Sequence, residues 1–374
     1  MKVGLLTYGL DRPLTGIGRY TIELAGALSH LEEDLEITLL QAGSSVSLKG
    51  EHFRRVPLPG CRLLPGLMTL GNFIIPWYAR RLDLDIIHDP IGVAPFLFGA
   101  GRAKTIITVH DVLPWSYPGT SALLNIIIYR LWLPRMIRDV RAVITASDQS
   151  RADILRFLPV SPDRLHVLSY GIAACFHPLP PSDVGHYLAQ RFGIISPYIL
   201  CVGGMAPRKN IARLLEAFFT LEGEFPLLRL VLVGRTSGKK KQGGSMFMGG
   251  KMSDRILRTG PVSDSDLALL YNGCNLFVFP SLYEGFGLPP LEAMACGAPV
   301  VCSNASSLPE VVGDAALLVN PLETQALADA IRKVLANVGL RAEMRAKGLL
   351  QAQKFSWKRN AEQTMEIYRK VVYD

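Results

Sequence analysis

Short apolar runs alternating with helix-patterned stretches recur along this chain, and they come in two sets. In the first half, residues 3–7, 37–40, 86–88, 105–110 and 142–146 read as strands ending in polar or small residues, with helical spacing over 19–31 and 123–138 between them. In the second half, residues 198–202, 229–233, 276–279, 299–302 and 316–318 repeat the pattern around helical stretches such as 211–219. Strands that alternate with helices argue βαβ units and parallel sheets. Two such sets in 374 residues predict an α/β chain of two doubly wound, Rossmann-like domains facing each other across a cleft, with ligands at the carboxyl ends of the strands. The break is expected in 170–183, where Gly171, Pro178, Pro180 and Pro181 interrupt any periodicity. That places a first domain at 1–175, a second at 176–354 and a closing helical tail at 355–374.

Composition narrows the class. Apolar residues make up 49% of the chain and charged residues only 19%, which describes a globular protein with a large core and excludes a disordered one. The net charge of +8 is modest and spread over both halves, and no basic-aromatic nucleic-acid module accompanies it. Anionic nucleotide diphosphates or an acidic membrane surface account for it equally. Cys61, Cys175, Cys201, Cys274, Cys296 and Cys302 show no C-x-x-C spacing, so free thiols in a reducing compartment are expected. The N-terminus reads as a first strand, not as a signal peptide, and no apolar run reaches membrane-spanning length. A cytoplasmic protein, soluble or peripheral on the inner membrane face, is the expectation.

The chemistry concentrates in Glu284-Gly285-Phe286-Gly287-Leu288-Pro289-Pro290-Leu291-Glu292. A buried strand, an acidic glycine loop and a helix start follow one another here. That order aims backbone N–H groups and the positive helix end at an anion, while the two carboxylates can bond hydroxyls. A nucleotide-sugar carries hydroxyls at both ends and a diphosphate between them. Surface acids at a helix start are the plain alternative, since the helix dipole favours them there. Arg208 and Lys209 follow the first strand of the second set; a forked donor beside a point charge suits a diphosphate. Gly16 and Gly18 follow the first strand and precede a helix, where they let backbone amides approach a phosphate or a sugar. The pairs Asp83/Asp85 and Asp264/Asp266 have metal-like spacing, but the second reads better as capping acids at a helix start. No metal site is expected.

These segments together resemble the retaining glycosyltransferases of the GT-B fold, family 4, with bacterial mannosyltransferases as the nearest type. The E-x7-E of Glu284 and Glu292, the glycine loop Gly16-Ile17-Gly18-Arg19-Tyr20, the pair His110-Asp111, the Gly203-Gly204 and Pro207-Arg208-Lys209-Asn210 run and the closing Phe355-Ser356-Trp357 stand in the family's order over essentially the whole chain. The resemblance implies a GT-B enzyme that moves a hexose from a nucleotide-sugar to a hydroxyl of a glycan or lipid-linked glycan with retention. It needs no metal or other cofactor. By the same resemblance His110, Arg208, Lys209 and Glu284 are catalytic, with Glu284 on the sugar hydroxyls and Arg208 and Lys209 on the leaving diphosphate. Gly16, Gly18, Phe286, Gly287, Leu288, Glu292 and Val262 bind the donor, with Glu292 on the ribose and the Gly260-Pro261-Val262 turn cradling the base. The tail is implied to return to the first domain. Mannose from GDP-mannose is the expected donor; a UDP-sugar, or a non-catalytic nucleotide-sugar-binding protein, is the alternative.

Other segments carry two readings each. His88 can touch an acceptor or serve the core. The apolar-basic stretches 67–81 and 123–138 can be buried helix faces or a peripheral membrane surface for a lipid-linked acceptor. Residues 237–251, rich in glycine and lysine, read as a solvated loop or as a lid, and they depart from the family's pattern.

Overall fold

A computed structural model describes residues 1–10, 16–31, 34–43, 53–117, 123–195, 197–235 and 254–373; for 123–125, 127 and 128 only the backbone is described. The segment 237–251 lies outside them. The described chain divides into two compact units, Met1–Gly171 with Ser356–Asp374, and Ile172–Phe355. The division therefore falls at Gly171 and Phe355 rather than at 175 and 354.

The first unit holds a seven-stranded sheet built from β1 (Lys2–Tyr8), β2 (Glu36–Ala42), β3 (Arg54–Pro57), β4 (Ile86–Asp89), β5 (Lys104–Thr108), β6 (Ala142–Thr145) and β7 (Leu165–Val167). Its order is β3-β2-β1-β4-β5-β6-β7, and every pairing is parallel. The second unit holds six parallel strands: β8 (Tyr198–Val202), β9 (Arg229–Val233), β10 (Ile256–Gly260), β11 (Leu276–Phe279), β12 (Val300–Ser303) and β13 (Leu317–Val319). Their order is β10-β9-β8-β11-β12-β13. In both sheets the order of strand addition reverses once, between β1 and β4 and between β8 and β11, while the strands stay parallel. These are the topological switch points, outside whose carboxyl ends such sheets bind ligands.

Burial explains why the central strands are apolar throughout. Ile86, Ile87, Leu276, Phe277 and Val278 are fully buried because helices cover both sheet faces. The edge strands differ. In Arg54–Pro57 only Val56 is buried, and Ile256–Gly260 is half-buried along its length. Helices pack a single stripe on this core; in Ile211–Thr220 it is Ile211, Leu214, Leu215 and Phe218. All six cysteines are free.

The C-terminal helix Trp357–Tyr373 belongs to the first unit. It starts against Gly171, where a Cβ would stand 2.1 Å from the Trp357 nitrogen, so only glycine lets the backbones meet. Asn360 Nδ2 donates to the carbonyl of Ser169 at 2.9 Å, and the Trp357 indole stacks on Tyr170. Further along, the Tyr368 hydroxyl bonds His88 Nδ1 at 2.7 Å. His88 Nε2 bonds Thr108 Oγ1 at 2.8 Å, and Thr108 in turn meets the Tyr20 hydroxyl at 3.1 Å. His88 is thus fully buried inside β4 with both nitrogens used by the core, which settles its structural role.

Burial, and next the neighbouring His110, push the His88 imidazole down to about 3. Above the ordinary histidine value of about 6.5 the ring is neutral in folded and unfolded chain alike. As pH falls below that value only the unfolded chain takes up the proton, so the contribution of His88 to stability is lost between there and about 3. The ring resonances of His88 should stay unprotonated from about pH 7 down to about pH 5 in NMR titration; a midpoint near the free-histidine value would contradict this burial.

Candidate active site

The second unit's switch point is built by two loops, one after β8 and one after β11. Past β8 the chain turns through Gly203 and Gly204 at φ +135° and +70°, a region that side chains disfavour. The vacancy has a use. A Cβ on Gly203 would stand 2.8 Å from Lys209 Cε, so the glycine makes room for the lysine side chain. Pro207–Lys209 then forms one 3-10 turn, and Asn210, at φ +58°, leads into the helix Ile211–Thr220. Asn210 Nδ2 donates to the carbonyls of Pro280 (3.1 Å) and Pro321 (2.7 Å), and the Leu282 amide donates to Arg208 O at 2.7 Å. These bonds stitch the two loops together.

They bring Arg208, Lys209 and Glu284 onto one atom. Glu284 Oε1 accepts from the Arg208 guanidinium at 2.7 Å, from Lys209 Nζ at 2.6 Å and from the Ser281 hydroxyl at 2.5 Å. The Lys209 ammonium also lies 4.6 Å from the Phe279 ring centre, a cation–π contact. Ser306 and Ser307 hold the Glu284 backbone: the Ser306 hydroxyl donates to its carbonyl at 2.6 Å, and Ser307 sits 2.9 Å from the same oxygen. Glu284 is only 11% exposed and Lys209 9%, which excludes the reading of a surface acid. Burial pushes the Glu284 carboxyl up, but the Lys209 and Arg208 charges outweigh it and hold the group below its usual value. Burial pushes the Lys209 ammonium down, against the pull of Glu284. Two cations against one carboxylate leave the cluster with a net charge of one plus, and both cations keep further N–H donors for an anion.

The helix Leu288–Ala295 begins beside this cluster. Gly287, at φ +123°, packs on Leu308, which a Cβ would approach to 2.8 Å. Pro289 and Pro290 carry no N–H, so the amides at this helix start are those of Phe286, Gly287 and Leu288. Glu292, one turn in, is 3% exposed and accepts from the Tyr271 hydroxyl at 3.1 Å. It is therefore a buried carboxylate steadied by a tyrosine. Val262 sits half-buried in the turn between β10 and the helix Asp264–Gly273. The cap of that helix is Ser263, whose hydroxyl accepts the Asp266 amide at 3.1 Å, so Asp264 and Asp266 are first-turn acids and not the cap. Among the described residues no cluster of three or more His, Cys, Asp or Glu could hold a metal ion.

Gly16, Gly18 and His110 belong to the first unit. Both glycines lie inside the first turn of the helix Gly16–Ser29, not in the loop before it. His110 follows β5. Its Nε2 lies 2.8 Å from the Pro90 carbonyl, which can only accept, so Nε2 carries the proton and Nδ1 accepts from the Tyr170 hydroxyl. Burial pushes this imidazole down to about 4, and the ring is neutral. Tyr20 closes it from the side, with ring centres 5.0 Å apart. A sugar hydroxyl can reach either nitrogen only by exchanging with Tyr170 or Pro90.

Comparison with known proteins places the chain. The model of the glycosyl transferases group 1 matches residues 194–351, and that of glycosyltransferase family 4 matches residues 14–174. Over 385 aligned residues the chain is 32% identical to O-antigen chain mannosyltransferase B of Escherichia coli, covering 99% of this chain and all of that one. The chain belongs to glycosyltransferase family 4. This glycosyltransferase is also 29% identical to the MMP alpha-(1->4)-mannosyltransferase of Mycolicibacterium hassiacum, over 100% of this chain and 98% of that one. Its GT-B fold matches the sucrose-phosphate synthase of Thermosynechococcus elongatus with a TM-score of 0.79, at 23% identity, covering 99% and 98% of the two chains.

Sequence reasoning found the three charged residues but not the groups that hold them. Ser281, Ser306, Ser307, Tyr271 and Tyr170 were missed, because a serine or tyrosine carries no local signal of a partner far along the chain. Only Tyr20 lay inside a motif already singled out. The cluster makes one prediction. Glu284→Ala leaves the buried Lys209 without its anion and should cost about 3 kcal/mol, the range of a broken buried pair, and added pyrophosphate should recover part of it. Denaturant unfolding that shows no loss would contradict the pairing.

Proposed function

We propose that this glycosyltransferase moves mannose from GDP-mannose to a hydroxyl of a glycan carried on a lipid, with retention of the anomeric configuration. The observation that carries the donor reading is the convergence of Arg208 and Lys209 on one buried carboxylate at the switch point of the second sheet. A net positive cluster beside a helix start is suited to a diphosphate. Mannose is supported by the two relatives named mannosyltransferases that span essentially the whole chain.

In this reading the diphosphate takes the remaining N–H donors of Arg208 and Lys209 and the amides of Phe286, Gly287 and Leu288. Glu284 receives sugar hydroxyls. Glu292 meets the ribose, and Val262 and its turn face the base. The bond from C1 to the phosphate oxygen breaks while the acceptor oxygen bonds C1 on the same face. The acceptor proton passes to the leaving phosphate oxygen, and the negative charge gathered there is stabilised by Arg208 and Lys209. No protein nucleophile and no metal takes part. His110 is neutral, with Nδ1 taken by Tyr170 and Nε2 by the Pro90 carbonyl, so it is not a charged acid. The enzyme works in the cytoplasm, at the inner membrane face where a lipid-linked acceptor is presented.

Replacing Arg208 and Lys209 together by alanine should lower turnover with GDP-mannose by about a thousandfold or more, while chelator leaves the wild-type rate intact. Wild-type turnover in the double variant would remove the leaving-group role, and a strict metal requirement would overturn the metal-free step.

A further inference from the structure

We propose that the helix Gly71–Arg81 and the turn at Leu97–Phe98 form a docking surface for an anionic lipid bilayer. The membrane partner is part of the functional reading above; the surface that meets it rests on separate observations in the first unit. The helix is apolar on two sides. Asn72, Ile75, Pro76 and Ala79 are buried against the sheet, as a surface helix requires. Its opposite side ought to be polar, yet Phe73 and Trp77 there are 65% and 50% exposed, with Leu70 before them at 48%. Their spacing of three and four residues puts them on one stripe. Of the fifteen large apolar side chains exposed among the described residues, six fall between Leu63 and Phe98. Single exposed apolar residues need no explanation, whereas a contiguous group marks a contact surface.

The group is held in shape before any partner arrives. Asn72 is buried and spans two elements: its Nδ2 donates to Met68 O at 2.5 Å, and its Oδ1 accepts the Leu97 amide at 2.6 Å. That pins the turn to the helix and sets the exposed Phe98 ring 5.0 Å from Phe73. Cations edge the tip. The Arg81 guanidinium lies over the Trp77 ring at 5.0 Å, and the Arg80 stem crosses Gly101 so closely that a Cβ there would meet its Cγ at 3.1 Å.

Charge selects the occupant. From Phe53 to Leu82 the chain carries Arg54, Arg55, Arg62, Arg80 and Arg81 and no acid, and from Ile91 to Ala103 it carries Arg102 and no acid. The first acids after the helix, Asp83 and Asp85, are engaged by Lys2. A second copy on this face would bring arginine against arginine. Aromatic and leucine side chains that enter the headgroup layer, with arginines beside them for anionic headgroups, are what an interfacial anchor requires.

The test uses the full-length protein and sedimentation with vesicles of phosphatidylcholine, with and without phosphatidylglycerol. Binding should appear with phosphatidylglycerol and weaken with added salt. Phe73→Ser with Phe98→Ser, and separately Arg80→Glu with Arg81→Glu, should each weaken it at least about tenfold while the protein still unfolds in one cooperative melting transition, since all four side chains are exposed. Wild-type protein that stays in the supernatant with anionic vesicles would overturn the proposal. So would folded variants that bind as wild type does, or a lipid-free dimer that Phe73→Ser with Phe98→Ser dissolves. Transfer activity does not enter these readouts, so an error in the donor or acceptor would leave the vesicle result standing.

Discussion

A buried lysine needs an anion, and the second unit is organised around supplying one. Lys209 is 9% exposed at its side chain and rests between a phenylalanine ring and the carboxylate of Glu284. Taking an ammonium out of water costs several kcal/mol unless charge and hydrogen bonds offset it. The local backbone follows from that demand. Gly203 gives up its side chain so that the lysine stem fits, and Asn210 adopts a left-handed conformation so that a helix can start straight after the cations. Ser281, Ser306 and Ser307 then fix where the carboxylate sits. One carboxylate against two cations leaves one positive charge of the cluster unmatched.

In the first unit a hydrogen-bonded chain plays the comparable part. Tyr368, His88, Thr108 and Tyr20 connect the C-terminal helix through the sheet to the helix Gly16–Ser29. Tyr20 and Tyr170 then enclose His110. The consequence for chemistry is that His110 is neutral and oriented. Its position is tied to the last helix of the chain through Tyr170, on which Trp357 stacks.

How much of this was legible depended on distance along the chain. The central strands were readable because burial on both faces makes them apolar throughout, as at 276–279. The edge strands β3 and β7 were not: Arg54-Arg55-Val56-Pro57 buries one residue of four, and Leu165–Val167 spans only three. Glu284, Arg208 and Lys209 could each be named from local order, because a strand, a loop and a helix start leave a local signature. Their meeting could not, since it joins segments about 75 residues apart through positive-φ positions that no propensity reports. The bland reading of Glu284 and Glu292 as surface acids fails on burial alone, which composition does not reveal. His88 shows the opposite case: a histidine at a strand end looks like a site residue in the sequence and is a core residue in the fold.

We propose above that the Arg208–Lys209–Glu284 cluster receives the donor's diphosphate. A crystal structure of the protein with GDP-mannose tests it most directly. Phosphate oxygens are expected within hydrogen-bonding distance of the Arg208 guanidinium and the Lys209 ammonium, with Glu284 turned to the sugar hydroxyls. A diphosphate bound elsewhere, with Glu284 Oε1 still closed on both cations, would contradict it.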